Sequence, residues 1–178
     1  MPIHADEIVD TVWRYFDRHP QEAGRLALLV EAAGDRLALS SRKTTPGHVT
    51  CGALLIDDRS RVLHIYHRAL GRWLLPGGHM EPSDPSLPAV ALRELTEETG
   101  IPACDVAAID ELPLDIDVHS IPANAAKGEP AHWHADFRYV FRLQSGGGVW
   151  LQIEEVTDYE WLDAPFCPRL AAKLSELG

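Results

Sequence analysis

Residues 77–101 read GGHMEPSDPSLPAVALRELTEETGI, and the rest of the chain is organised around this segment. Near its end, Glu94, Glu97 and Glu98 stand at positions i, i+3 and i+4. On a helix this spacing places all three carboxylates on one narrow face. Because like charges so close together repel one another, the face predicts a bound cation, and oxygen-only ligands suit Mg²⁺ or Mn²⁺. The alternative is an ordinary solvated acidic helix face.

The residues around the acidic face predict a loop, a helix and a turn. Residues 76–78, Pro-Gly-Gly, are a turn signal whose glycines permit close backbone approach and free a carbonyl to point at a metal. Asp84 is predicted to cap the helix, with Pro85 in the first helical position. Gly100 is predicted to end the helix. This order of elements holds the acidic face in one place.

These residues resemble the Nudix box, G-x5-E-x7-R-E-U-x-E-E-x-G-U, in which U is a bulky aliphatic residue. The segment 93–101, RELTEETGI, matches every specified position. Counted from Gly78, the fixed glutamate is replaced by Asp84, and eight residues rather than seven separate it from Arg93. In the family that carboxylate and the arginine mainly brace the loop and the helix, a task open to a shorter carboxylate with one extra residue. The likeness and its usual surroundings extend over about residues 45–162.

The resemblance implies a fold and a reaction. The fold class is α/β, an α/β/α sandwich around a mixed β-sheet, with residues 1–44 as an N-terminal helical extension packed on a Nudix domain at 45–178. The reaction is metal-dependent hydrolysis of a nucleoside diphosphate linked to a moiety X, by water attack at phosphorus. The implied cofactor is Mg²⁺ or Mn²⁺, and the implied partner is a small phosphorylated substrate.

The resemblance also implies the residues of the site. The metal ligands are three box carboxylates and one loop carbonyl: Glu94, Glu97, Glu98 and Gly78. Arg93 orients a glutamate rather than touching the substrate. The general base is one of the box glutamates or an acidic residue just before the Trp-Leu segment near the end of the chain. Glu155 is the first choice for that residue and Glu154 the second.

A predicted hairpin after the box carries a second group of polar residues. Apolar and polar residues alternate over 112–119 and again over 132–141. One face of this hairpin is rich in histidine and aspartate: His119, His132, His134 and Asp136. Such residues are the ingredients of a further metal site or of a pocket for a phosphorylated ligand, and the alternative is the solvent-facing side of a sheet. The substrate-binding residues predicted here are Arg138, Lys127, His132 and His134.

The remaining patterns place simple elements along the chain. Helical patterns lie at 6–19, 21–33 and 164–177. Strand patterns lie at 48–57, 61–68 and 149–156. The two N-terminal helices are predicted to pack on the domain, although a dimer contact or a cover over the substrate cleft also fits them.

Composition excludes several classes of function. A chain of 178 residues with 46% hydrophobic content can bury the core of one domain. Its net charge of -11 opposes a nucleic-acid backbone or an anionic membrane as the main partner. Three isolated cysteines suggest neither a disulfide framework nor a zinc knuckle. Without a long apolar run or a leader pattern, we expect a cytoplasmic protein. A homodimer stays open as its oligomeric state.

Three functions follow, and the intact second half of the box favours the first. The first is a metal-dependent Nudix pyrophosphohydrolase. The second is a catalytically silent Nudix-like module that binds a nucleotide. The third is a metal-dependent phosphatase in which the histidine and aspartate hairpin takes the main role. The identity of X is not predicted, because no motif outside the box indicates recognition of a particular base or sugar.

Overall fold

The computed structural model describes residues 3, 5–35, 37–125, 128–145 and 148–177. The helices are α1 (Ala5–Arg18), α2 (Ala27–Gly34), α3 (Leu87–Thr99) and α4 (Pro168–Ser175). The strands are β1 (Gly47–Ile56), β2 (Val62–His67), β3 (Arg72–Leu74), β4 (Gly77–His79), β5 (Val106–Ala108), β6 (Asp115–Ile121), β7 (His132–Leu143) and β8 (Val156–Leu162). Short 3-10 turns lie at Pro20–Glu22 and Ala103–Asp105.

The strands form one mixed sheet built on a parallel pair. β1 and β7 run parallel, from Gly47 opposite Trp133 to Ile56 opposite Arg142. The other pairings are antiparallel: β5 and β6 join β7, β2 and β4 join β1, and β3 and β8 join β2. Parallel strands need a long connection between them, and here it contains α3. The sheet and its helices confirm the predicted α/β class.

The alternation of β1 separates the two faces of the sheet. Its odd-numbered residues Val49, Cys51, Ala53 and Leu55 belong to a large buried cluster with residues of α1, α2 and α3, and we call this side face A. Its even-numbered residues Leu54 and Ile56 pack with Leu170 of α4 on the opposite side, which we call face B. The apolar part of face B is small, so much of this face is free to carry polar side chains.

Two of the predicted elements differ in the structure. The helical pattern over 21–33 divides into a 3-10 turn at Pro20–Glu22 and the shorter α2. The predicted strand over 149–156 is wrong, because β8 begins only at Val156. Residues before β8 instead bond to the end of α3: Trp150 N donates to Thr99 O at 2.7 Å, and Gln152 N donates to Glu98 O at 3.2 Å. Their backbone groups are therefore not available to the sheet.

A buried carboxylate connects the sheet to the ends of the chain. Asp115, the first residue of β6, is fully buried. Four cationic side chains lie within 3.6 Å of its carboxylate oxygens: Arg25, Arg138, Arg169 and Lys173. They belong to the segment before α2, to β7 and to α4. This ion-pair network therefore joins the N-terminal helices, the sheet and the C-terminal helix.

The N-terminal segment also covers the outer edge of β6, which among the described strands pairs with β7 alone. Ile116 N donates to the hydroxyl of Tyr15 at 3.4 Å, and Arg25 donates to Ile116 O at 2.7 Å. Tyr15 in turn donates to the carboxylate of Glu22 at 2.7 Å. These bonds, and the core that α1 shares with Phe137, support our proposal that residues 1–44 are a helical extension of the domain at 45–178.

Acid is expected to weaken this connection through Glu22. Burial alone would raise its pKa, but hydrogen bonds from Lys173, Tyr15 and Arg25 lower the pKa of Glu22 from 4.5 to about 2. A pKa that is lower in the folded state adds stability above pH 4.5, which disappears as the pH falls towards 2. We expect Glu22→Gln to cost about 2 kcal/mol near neutral pH and little at about pH 2. Denaturant unfolding at both pH values measures this difference; an equal cost at both would contradict it.

Among the described helices, none combines the length and the apolar character that crossing a membrane requires.

Candidate functional site

The box helix α3 begins later than the sequence predicts. Ser86, not Asp84, is the N-cap, and its hydroxyl accepts a hydrogen bond from Ala89 N at 3.4 Å. Pro88 rather than Pro85 lies in the first turn. The predicted end of the helix is confirmed, because Gly100 adopts a left-handed conformation at φ 67° and donates to Thr96 O. Asp84 is thereby free for another role.

That role is to brace Arg93. Arg93 Nε and Nη2 donate to the two carboxylate oxygens of Asp84 at 2.9 and 3.1 Å. Nη2 also donates to His79 O at 2.8 Å, and Nη1 donates to Glu94 at 3.1 Å and to Glu97 at 2.9 Å. All five N–H groups of the guanidinium are thus used. The shorter carboxylate therefore makes the bracing contact that the resemblance implies, and it does so while buried.

Arg93→Lys is expected to lower kcat/KM by about 10 to 100-fold, because an ammonium cannot bind Asp84 in a fork and hold Glu94 at the same time. The KM for substrate should change little, since Arg93 faces protein groups. Steady-state kinetics at several Mg²⁺ concentrations test this, with Arg142→Lys on an exposed position of β7 as the matched control. Equal kinetics in both variants would show that the brace has no part in activity.

Two box carboxylates meet the glycine loop. Glu98 is 3% exposed, and its Oε2 accepts a hydrogen bond from Gly77 N at 2.9 Å. The carboxylate of Glu94 lies so close to Gly78 that a Cβ there would stand 2.5 Å from Oε1. A side chain at residue 78 would therefore displace Glu94. Within the described residues, no lysine or arginine lies at ion-pair distance from Glu98.

The electrostatics of this acidic pair follow from burial and mutual repulsion. Burial is the main cause that raises the pKa of Glu98 to about 8, against the Gly77 hydrogen bond, and the charges of Glu94, Glu155 and Glu97 add to the rise. Burial likewise raises the pKa of Glu94, although Arg93 opposes it. Two acidic groups that resist ionisation in the metal-free protein indicate a place where a cation is favourable.

The other predicted members of the acidic site, Glu97, Glu155 and Gly78, lie around the pair Glu94 and Glu98 in different surroundings. The side chain of Glu97 is half exposed and bonds to Arg93. Glu155 lies just before β8, and its charge acts on both Glu94 and Glu98. Its backbone carbonyl accepts from Arg68 N at 2.8 Å, which fixes this part of the chain. Gly78 lies in β4 opposite Cys51. The structure therefore groups the predicted acidic residues, whose catalytic and metal-binding roles stay predictions.

The predicted histidine patch is present on face B, and it is larger than expected. The predicted His119 of β6 and His132 and His134 of β7 are joined by His48 of β1 and His79 of β4. The Nε2 atoms of His79 and His48 lie 3.1 Å apart, as do those of His132 and His134. Burial is the main cause that lowers the pKa of His79 to about 4 and that of His134 to about 3. These rings are therefore neutral near pH 7.

The aspartate part of the same face is occupied by ion pairs. Arg138 donates to Asp136 at 3.0 Å, to Asp117 at 3.2 Å and to Asp115 at 3.4 Å. Arg169 also donates to Asp117, at 2.8 Å. The guanidinium of Arg138 is thus already bound by three carboxylates, so a phosphate contact from it would have to replace one of them. Lys127, the other predicted cationic contact, lies outside the described residues.

The two groups of predicted site residues lie on opposite faces of the sheet. The carboxylate of Glu94 approaches β4 from face A, where α3 packs, while His79 projects to face B with His48. Sequence reasoning missed His48 and His79. The signal for His48 is the alternation of β1, whose even-numbered residues lie on face B, where His48 is opposite His134. His79 offers only its position one residue after the double glycine.

Comparison with known proteins agrees with this geometry. The protein-family model of the NUDIX domain matches residues 46–168, which is more than half of the chain. The chain belongs to the Nudix family. The match contains β1, the box loop, α3 and β8, and therefore the whole acidic site.

One curated relative of this Nudix protein is the "Probable DHNTP pyrophosphohydrolase" of Lactococcus lactis subsp. cremoris (strain MG1363). The two are 32% identical over 102 residues, which are 57% of this chain and 58% of the relative. The chain thus matches a little over half the length of this relative. The name of this relative describes a hydrolase, in agreement with the predicted class of enzyme.

Two solved structures support the fold. The Ap4A hydrolase of C. elegans, in a binary complex, is 16% identical and superposes with a TM-score of 0.57, covering 72% of this chain and 96% of its own. The dihydroneopterin triphosphate pyrophosphohydrolase of E. coli is 20% identical with a TM-score of 0.53, covering 72% and 92%. The Nudix fold is therefore confirmed.

Proposed function

We propose that this Nudix protein is a metal-dependent pyrophosphohydrolase that cleaves a nucleoside diphosphate linked to a moiety X by water attack at phosphorus. The observation that carries the proposal is the buried carboxylate of Glu98 against the glycine loop, beside the partly buried carboxylate of Glu94. Glu98 has a backbone N–H as its hydrogen-bond donor and no cationic side chain at ion-pair distance among the described residues. Buried carboxylates without a counterion are costly unless a cation binds them.

The donors at this place fit a hard divalent ion such as Mg²⁺ or Mn²⁺. Carboxylate and carbonyl oxygens are the ligands these ions prefer. The residues that would hold them are Glu94, Glu97, Glu98 and the Gly78 carbonyl. When bound, the ions supply charge that offsets the substrate phosphates and lowers the pKa of the attacking water. A residue larger than glycine at position 78 would push Glu94 away from the loop, so the glycine is needed for this donor set.

The side chains of the chain have separate tasks in the proposed reaction. Arg93 holds Glu94 and Glu97 through Nη1 and the loop through His79 O, so it positions the donors. Glu155 or one of the box glutamates accepts the proton of the attacking water. Glu155 is suited to this because its charge already acts on Glu94 and Glu98, while its main chain is fixed by Arg68.

The relatives indicate which substrates to test first. Their names give dihydroneopterin triphosphate and Ap4A as compounds with phosphoanhydride bonds. Ap4A is a nucleoside diphosphate linked to a moiety X, and dihydroneopterin triphosphate, in which a pterin takes the place of the nucleoside, tests whether a nucleoside is required. Nucleotide sugars, ADP-ribose-like compounds and damaged nucleoside triphosphates complete the panel.

The experiment is product analysis over this panel with Mg²⁺ or Mn²⁺, by chromatography of the nucleotide products. We expect cleavage of one class into two phosphorylated products, with no turnover in the presence of a chelator. Binding of one compound without cleavage would favour the silent nucleotide-binding module instead. Release of inorganic phosphate from monoesters, lost on His134→Gln but not on Glu98→Gln, would favour a phosphatase that uses the hairpin.

A further inference from the structure

The histidines on face B form a cluster that the proposed hydrolysis does not use. Its members come from three strands: His48 from β1, His79 from β4, and His132 and His134 from β7. One nitrogen from each of His48, His79 and His134 lies within 4.8 Å of the others. We propose that these three imidazoles bind a transition-metal ion of the zinc class, separate from the ions at the box glutamates.

The spacing of the nitrogens fits ligands of one ion. Two nitrogens bound to the same tetrahedral Zn²⁺ at about 2.0–2.1 Å are about 3.3 Å apart. The Nε2 atoms of His48 and His79 lie 3.1 Å apart, so a small shift of the rings makes room for the ion. His132 borders this group of three, because its Nε2 lies 3.1 Å from that of His134 and its ring stacks on His48 at 5.0 Å between centroids.

Backbone carbonyls orient two of the rings towards the centre of the cluster. His48 Nδ1 lies 3.3 Å from Thr44 O, and His132 Nδ1 lies 2.9 Å from Pro130 O. Because a carbonyl can only accept, the proton of each ring is on Nδ1 and the lone pair is on Nε2. Histidine ligands of metals are commonly held in this way, with the second nitrogen donating to a carbonyl. The arrangement therefore presents Nε2 as a ligand.

In the absence of an ion, the same contacts are explained by hydrogen bonds between imidazoles. His79 Nε2–H then donates to His48, and His134 Nε2–H donates to His132. For the Nε2 atoms of His79 and His134 to bind a metal ion, each neutral ring carries its proton on Nδ1 instead, a change of tautomer that releases no net proton. The choice of ion follows from the ligands, because imidazole nitrogen suits Zn²⁺, Co²⁺, Ni²⁺ and Cu²⁺, whereas Mg²⁺ prefers oxygen. The two kinds of site therefore select different ions.

The histidine cluster is accessible to an ion, and a bound ion would also affect the loop before the box helix. His79 and His134 are partly exposed while His48 is buried, so solvent reaches the cluster at two of its three ligands. His79 also follows Gly77 and Gly78 in β4, and its carbonyl is bound by Arg93. An ion at the histidines would hold β4 to β1 and β7, and thereby fix the loop that Glu94 and Glu98 contact.

The test is Co²⁺ binding to the full chain without a polyhistidine tag, after treatment with a chelator and with excess Mg²⁺ present. We expect one equivalent of Co²⁺ with the visible absorption of a nitrogen-rich tetrahedral site, retained in Glu98→Gln. In His79→Gln and in His134→Gln the affinity should fall by about 10²-fold or more. His67→Gln on β2, outside the cluster, is the matched control and should bind as the wild type does.

Two outcomes would overturn the proposal: absence of Co²⁺ binding, or binding that is lost in Glu98→Gln and kept in the histidine variants. A measurement on the wild type alone covers the case in which a histidine variant fails to fold. Nitrogen NMR of the imidazoles during Zn²⁺ addition should show the Nε2 signals of His48, His79 and His134 moving together at one equivalent. Unchanged signals at these three residues would equally reject the site.

Discussion

Glu98→Gln is expected to lower kcat by about 10³-fold or more, which corresponds to about 4 kcal/mol of lost transition-state stabilisation. The glutamine loses the charge that holds a divalent ion but keeps an oxygen that accepts from Gly77 N. The fold should stay intact, because no cationic side chain pairs with Glu98 in the described part of the chain and the substitution therefore breaks no ion pair. Activity and stability are thus expected to respond differently to one substitution.

Turnover of the substrate found in the panel, together with thermal unfolding in chelator, measures both effects. Glu97→Gln should cost less activity, because half of that side chain is exposed and Arg93 already binds it. Glu111→Gln, on an exposed residue outside the site, is the matched control. Full turnover by the Glu98 variant would reject the role of this carboxylate, and a large loss of stability would show that its charge is structural.

Asp115→Asn is expected to destabilise the fold by about 3–5 kcal/mol, because it leaves four cationic side chains around a neutral buried group. The positions of Lys173 and Arg169 at 2.9 Å from the carboxylate make these the strongest pairs that are lost. For a protein of this size the cost should lower Tm by about 10 °C or more. Catalysis below the new transition should persist, because the network lies outside the acidic site.

Thermal and denaturant unfolding of this variant, beside Asp58→Asn, test the expectation. Asp58 is an exposed residue of the β1–β2 turn, where a substitution should change stability by less than about 0.5 kcal/mol. Lys173→Met removes a cation from the same network and should also destabilise the fold. A cost for Asp115→Asn as small as that of the control would mean that the neighbouring carboxylates Asp117 and Glu22 satisfy the cations by themselves.

The sequence is informative where function depends on local spacing. The segment at residues 93–101 predicts the acidic helix face and its end at Gly100, because helix geometry alone decides both. The start of the helix was misplaced, since Asp84 is as good a capping residue as Ser86 when only the sequence is considered. Its bond to Arg93, nine residues later, requires the loop to fold back, and no periodicity describes that.

Prediction is weaker where function depends on strand register. Alternation in β7 places His132, His134 and Arg138 on one face, as predicted. His48 joins these residues only through the parallel register of β1 on β7, which the sequence does not reveal. His79 joins them through β4, a strand of only three residues that pairs with β1. The ion pairs of Arg138 depend further on Asp115 and Asp117 of β6, and Arg169 of α4 binds the same carboxylates. Contacts between distant segments therefore determine which polar residues stay free to bind a ligand.

The N-terminal residues that cover the edge of β6 limit how far this protein can be shortened. A chain cut at residues 46–168, where the family likeness begins and ends, would lose Tyr15 and Arg25, which cover Ile116, and also Lys173. The exposed strand would then present unpaired backbone groups to other molecules, a known route to aggregation. The segment that matches the family and the segment that keeps the edge of β6 covered are therefore different lengths of chain.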